Sequence, residues 1–165
     1  MGAALLTAAG VGSPTPAAGS QASCVFCAIV RGIHPAAVVW EDARTLAFLD
    51  ITAVTPGHTL VVPKAHATDL WNIGPDDWAA VARTVQRIAD RIAEVLHPDG
   101  LTLFQANRDA GWQDVFHLHV HCVPRATGDH LHRPWTASPV SLEQLEETRR
   151  RLVDVFPDSG TGRQE

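Results

Sequence analysis

The chain is 165 residues long, 45% hydrophobic and 19% charged, which suits one globular domain with a full core and excludes a collagen-like, disordered or multidomain protein. Its 13 Lys and Arg against 18 Asp and Glu leave a net charge of -5, so a broad basic face for duplex nucleic acid has no support, and no apolar run reaches membrane-spanning length. Three cysteines, Cys24, Cys27 and Cys122, fit reduced thiols in the cytoplasm better than a disulfide framework.

Residues 1–22 are rich in Ala, Gly, Ser, Thr and Pro, and no charged side chain precedes Arg31. This composition predicts a flexible leader or a start assigned too early, without the basic region of a secretory signal and with Leu6 where myristoylation expects Ser or Thr. The apolar segment from Cys24 follows, and Cys24-x-x-Cys27 has two readings: half of a tetrahedral metal site, or two buried cysteines in an apolar helix.

Val38–Glu41 and Thr45–Ile51 read as strands on either side of Asp42 and Ala43, and Pro56-Gly57 as a turn before a short strand Leu60–Val62 that ends at Pro63. Pro75-Asp76-Asp77 then starts a helix, since proline and acids suit the free N–H groups of a first turn. Trp78, Val81, Val85, Ile88, Ile92 and Leu96 recur at three and four until Pro98 and Gly100. Strands are expected at 101–106 and 115–123, and a last helix at Leu142–Val155 behind a Ser141 cap. Strands close in sequence without a crossover helix between each pair indicate an α+β meander rather than a doubly wound sheet.

The chemistry concentrates at Phe116-His117-Leu118-His119-Val120-His121-Cys122. Alternation at period two puts three imidazoles on one face of a strand and the apolar side chains on the other. Two functional readings survive: a three-histidine metal site of the zinc-hydrolase kind, or a nucleophile flanked by polarising imidazoles.

HLHVHCV, preceded by GWQDVF, closely resembles the signature of the histidine-triad (HIT) nucleotide hydrolases and transferases, and the likeness runs from about Cys24 to Asp129 through FLDI and PGHTLVVPKAH. The resemblance implies a HIT-like α+β fold, a five-stranded antiparallel sheet with one long and one short helix, paired into a homodimer. The implied organisation is a leader at 1–22, a histidine-triad domain at 23–157 and a flexible tail at 158–165. The implied activity splits a nucleoside monophosphate from its leaving group through a nucleotidyl-histidine, on purine nucleoside phosphoramidates or dinucleoside polyphosphates.

Carried over by position, His119 is the expected nucleophile, His121 the partner that passes the proton, and His58 an orienting or relaying fourth histidine. Histidine rather than glutamine at 121 fits hydrolysis. Phe26, Phe48 and Ile51 match the apolar base cleft, and Asp50 the carboxylate that accepts hydrogen bonds from both ribose hydroxyls. Asn107, Gln113 and Asp114 match the phosphate and leaving-group contacts. Asp114 stands where a hydroxyl residue is commoner and Trp112 where glycine is usual, and an acid there disfavours a polyphosphate leaving group. The resemblance also assigns Cys24, Cys27, His66 and His117 to a structural zinc. Two other classes stay open: a nucleotide-binding or interaction module with little turnover, and a metal-dependent hydrolase whose three triad histidines are the ligands.

Overall fold

The computed structural model describes residues 21–132 and 136–155, so nearly all of the expected leader and the whole expected tail lie outside the described residues. Those up to Asp129 form one compact unit and those from His130 onward a second. In the second, α3 (Leu142–Val153) starts at a capping box in which Ser141 Oγ accepts from Gln144 N and Gln144 Oε1 from Ser141 N. Among the described residues no helix is long and apolar enough to cross a membrane.

The first unit is a five-stranded antiparallel sheet in the order β1-β2-β3-β5-β4, with β1 Val38–Glu41, β2 Thr45–Leu49, β3 Thr59–Pro63, β4 Gly100–Phe104 and β5 Val120–Arg125. Both faces are covered, by α1 (Val25–Val30) on one and α2 (Pro75–Leu96) on the other. Period-two alternation sorts the side chains: Ala47, Val61, Val120 and Cys122 pack on Val81, Val85, Ile88 and Ile92 of α2, while Leu46, Phe48, Leu60 and Val62 pack on Cys24, Phe26 and Cys27 at α1. Because β3 is buried on both sides, its sequence is a continuous apolar run rather than an alternating one.

β3 (Thr59–Pro63 against Leu60–Val62), β4 (Gly100–Phe104 against 101–106), the end of β5 (Arg125 against 123) and the end of α3 (Val153 against Val155) differ from expectation by one or two residues, and two further strand ends differ for a visible reason. β2 stops at Leu49 rather than Ile51, because Asp50 Oδ1 accepts from both the backbone N–H and the hydroxyl of Thr52 and turns the chain. β5 begins at Val120 rather than residue 115. Its ladder with β3 pairs Val61 with Val120, and two residues further on stands Pro63, which has no N–H to give and whose carbonyl accepts from His117 Nε2 at 2.8 Å. Leu118 N–H donates instead to Ala67 O at 2.7 Å. The side-chain alternation nevertheless continues, since Leu118 stays in the α2 cluster.

The β1–β2 turn is held by Asp42. Its Oδ1 accepts from Arg44 N, Thr45 N and Thr45 Oγ1, and its Oδ2 from Trp40 Nε1 at 3.4 Å. Burial alone would raise this carboxyl, but the hydrogen bonds outweigh it and hold it at about 2. A depressed folded value means the contribution is complete above the unfolded value of 3.8 and is lost as the pH falls towards 2. Asp42→Ala should therefore lower the unfolding free energy by about 1–2 kcal/mol at pH 6. In urea titrations the gap from the wild type should narrow between pH 5 and pH 3.

Candidate active site

The site lies on the α1 face of the sheet, around a cleft of about 380 Å³. Of the residues expected there, Phe26, Phe48, Asp50, Ile51, Asp114, His119 and His121 line it. Ile51 stands at the rim, 99% exposed. The walls add Ile29, Leu60 and Val115, which makes an apolar slot of the size and character that holds a nucleobase.

His119 is 2% exposed, with the edge of Phe26 at 5.2 Å between ring centroids. Its Nδ1 lies 2.7 Å from His117 O, and since a carbonyl can only accept, Nδ1 carries the proton and Nε2 the lone pair. Nε2 has Asp114 Oδ1 at 3.8 Å, on a carboxylate whose side chain is otherwise exposed.

His121 reaches the cleft from β5, where Phe104 of β4 is its partner in register and stacks on its ring at 3.9 Å and 8°. Its Nδ1 lies 2.9 Å from His58 Nε2, which leaves its Nε2 for the cleft. Burial, with His119 and His58 adding to it, pushes His121 down to about 4. His58 sits behind the cleft wall, its basicity lowered by burial and partly restored by Asp50, whose Oδ2 is 3.5 Å from His58 Nδ1.

Thr52 donates twice to Asp50 Oδ1, Oδ2 lies 3.5 Å from His58 Nδ1, and the residue lines the cleft. Asn107 and Gln113 lie elsewhere, for neither lines the cleft. Asn107 accepts from Leu70 N at 2.8 Å and exchanges bonds with Gln105. Gln113 is 3% exposed; its Oε1 accepts from Arg108 N and its Nε2 donates to Thr68 O and Val115 O. These amides tie the 66–72 and 105–115 segments together.

His117 faces away from the other two histidines' task. Its Nε2 donates to Pro63 O, so its Nδ1 holds a lone pair, directed at Cys24 Sγ (3.4 Å), Cys27 Sγ (3.5 Å) and His66 Nδ1 (3.4 Å). Cys27 Sγ is 3.2 Å from His66 Nδ1. A tetrahedral ion with thiolates at about 2.3 Å and imidazoles at about 2.0–2.1 Å has N–N and N–S edges of about 3.3–3.6 Å and an S–S edge of about 3.8 Å, so these N–N and N–S separations suit a closed Cys2His2 shell. Burial keeps His117 neutral, pushed down to about 4, and lifts the Cys27 thiol to about 11, so an ion must displace thiol protons to bind. Among the described residues the donor atoms group as Cys24, Cys27, His66 and His117 and as Asp50, His58 and His121, and the three triad histidines are not brought together as one donor set.

A five-stranded antiparallel sheet with its histidines on the α1 face, beside an apolar cleft and a separate Cys2His2 cluster, makes an α+β domain. Sequence comparison agrees: residues 31–128 match the HIT domain, and the chain belongs to the HIT family. It is 40% identical over 114 residues to "Protein hit" of Bacillus subtilis, covering 68% of this chain and 79% of that one. It is 33% identical over 125 residues to the adenosine 5'-monophosphoramidase of Schizosaccharomyces pombe, covering 75% and 91% of the two chains. Among solved structures, a zinc-bound histidine triad family protein from Mycobacterium smegmatis superposes with a TM-score of 0.65 at 42% identity, over 82% of this chain and 96% of that one.

Sequence reasoning missed three participants. His34 lines the cleft beside Pro35 and Ala36, Thr52 anchors Asp50, and Phe104 covers His121. The FLDIT run held the Thr52 signal, since Asp-x-Thr is a side-chain turn pattern.

Proposed function

We propose that this chain is a hydrolase of purine nucleoside phosphoramidates, working through a nucleotidyl intermediate on His119. The observation that carries the reading is the 2.7 Å bond from His119 Nδ1 to His117 O, which presents a lone pair on Nε2 without a separate general base. Nε2 attacks the α-phosphorus in line, the P–N bond to the amine breaks, and the departing nitrogen takes a proton from His121 Nε2. Water then attacks phosphorus and gives a proton to His121 Nε2, the P–Nε2 pair returns to the imidazole of His119, and the nucleoside monophosphate leaves.

Among the described residues, the cleft is lined by two carboxylates, Asp50 and Asp114, and by no lysine or arginine. A polyphosphate leaving group finds no counter-charge there, whereas an amine meets an acceptor in Asp114. The activity in the name of the Schizosaccharomyces pombe relative supports the same choice. In this reading a purine lies against the wall that Phe26 and Phe48 form together, in the cytoplasm of the cell.

His119→Ala should keep nucleoside monophosphate binding in a fluorescence titration while turnover of an adenosine phosphoramidate falls more than about a thousandfold. Mass spectrometry after a neutral quench should find the nucleotidyl adduct on the peptide holding His119. Substantial turnover by His119→Ala would mean direct attack by water, and no turnover by the wild type would leave a binding module.

A structural zinc belongs to the proposal, held by Cys24, Cys27, His66 and His117 as a closed shell that takes no part in the chemistry; the zinc-bound relative supports it. Elemental analysis should find about one zinc per chain. Cys27→Ser should lose the metal and lower Tm; metal-free wild type with the same Tm as the variant would count against zinc.

The homodimer is the remaining part. β4 ends the sheet with its outer edge unpaired and Leu103 and Phe104 about half exposed, beside exposed Val95 and Leu96 at the end of α2. Such an apolar edge is suited to a second copy across a two-fold axis. Light scattering at micromolar concentration should give the mass of two chains; a single-chain mass would overturn it.

A further inference from the structure

We propose that Asp50 is a positioning residue of a proton relay, Asp50–His58–His121, that charges His121 for its transfer to the leaving amine. This rests on the phosphoramidase reading of the site and adds a role that ribose binding does not cover.

The geometry is linear. His121 Nδ1 meets His58 Nε2 at 2.9 Å, and His58 Nδ1 meets Asp50 Oδ2 at 3.5 Å, with the His58 and Asp50 side chains only 4% and 11% exposed. His58 Nδ1 also has Val54 N–H at 3.4 Å. That nitrogen is thus served in both of its states: bare, it accepts from Val54; protonated, it faces a carboxylate. An imidazole with a donor and an acceptor waiting at the same nitrogen is built to gain and lose a proton. A purely structural histidine needs only one of them.

Asp50 is itself held for the task. Thr52 fixes Oδ1 twice, and the backbone bond from Asp50 N to His58 O, 2.9 Å long, locks the two residues across the turn. A shared metal ion does not explain the cluster. The 2.9 Å separation of the two imidazole nitrogens is a hydrogen bond, shorter than the edge of about 3.3 Å between two imidazole ligands, and His58 turns different nitrogens to its two partners.

The proton balance closes. An anionic substrate brings negative charge against His121 and draws one proton into the chain, which rests on His58 facing Asp50. As the P–N bond breaks, its electron pair stays on the amine nitrogen, which takes the proton of His121 Nε2. His121 Nδ1 takes the Nε2 proton of His58, and His58 is left neutral with Nδ1–H towards Asp50. When water attacks the intermediate, its proton enters at His121 Nε2 and the shifts reverse. Burial disfavours charge on both imidazoles, and Asp50 is the neighbour that favours it on His58.

The test uses two leaving groups on one nucleoside. An alkylamine must be protonated to leave; p-nitrophenolate need not be. Asp50→Asn keeps the shape and removes the charge. Its loss in kcat on the adenosine alkylphosphoramidate should be about a hundredfold, and at least about tenfold greater than its loss on the adenosine p-nitrophenyl phosphate ester. A ribose anchor would instead raise KM equally for both substrates, and that result would overturn the relay. Imidazole 15N spectra of the protein with bound AMP give a second readout: His58 should carry protons on both nitrogens in the wild type and on one in Asp50→Asn. A neutral His58 in both proteins would also overturn it. The two readings fail separately, since an absent nucleotidyl adduct in the wild type sinks the hydrolase, while a normal adduct with equal losses on both substrates sinks only the relay.

Discussion

The site depends on the way one residue, His117, is pinned. Its ring nitrogen Nε2 donates to Pro63 O, its other ring nitrogen turns to the two thiols and His66, and its backbone carbonyl accepts from His119 Nδ1. All three bonds come from a residue that is fully buried, so none can be traded for water without a cost of about 1–3 kcal/mol each. The cluster beside α1 and the lone pair on His119 are consequently two ends of one rigid object. A cation in the cluster would stiffen the carbonyl that orients the nucleophile while standing outside the reaction.

Pro63 is the second half of that arrangement. A residue with an N–H at this place could extend the β3–β5 ladder toward His119, and the carbonyl would face a strand neighbour instead of an imidazole. Ending the ladder there leaves residues 117–119 outside the strand, with the His117 carbonyl bonded to a side chain instead of a ladder partner. The α2 face supplies the rigidity that the broken ladder gives up: Leu118 is fully buried among Val81, Val85 and Ile88. Packing on one face therefore permits functional bonding on the other.

What was legible in the sequence follows from how local each signal is. The long helix, the capped last helix, the Asp42 turn and the histidine alternation are set by residues within a few positions of one another, and all can be read from spacing. The Cys24-x-x-Cys27 pair was legible as a half-site, but its completion by His66 and His117 came through family resemblance, since the ligands are brought together by the pairing of β3 with β5. Strand register could not be read at all, which is why the Phe104 stack on His121 was missed. Gln113 shows the converse limit: a polar residue in a loop looks available, yet this buried amide has three backbone partners, two of them taking both N–H groups.

Electrostatics narrows the chemistry more than shape does. Arg108 lies over Trp71 and bonds Asp69, and Arg125 pairs with Asp129, so these two guanidinium groups near the sheet end are committed elsewhere. The cleft is lined by imidazoles, of which His121 is kept weakly basic by burial, and by two carboxylates, Asp50 and Asp114. In the proposed phosphoramidate reading, such a lining meets one phosphoryl group with neutral donors and does not suit a chain of them, because each added phosphate would bring charge toward Asp114. In that reading reactivity comes from proton delivery rather than from charge neutralisation. That is the setting in which a buried carboxylate behind two hydrogen-bonded histidines has most to contribute: the worse the leaving group, the more the rate depends on the proton that reaches it, and an amine is among the worst.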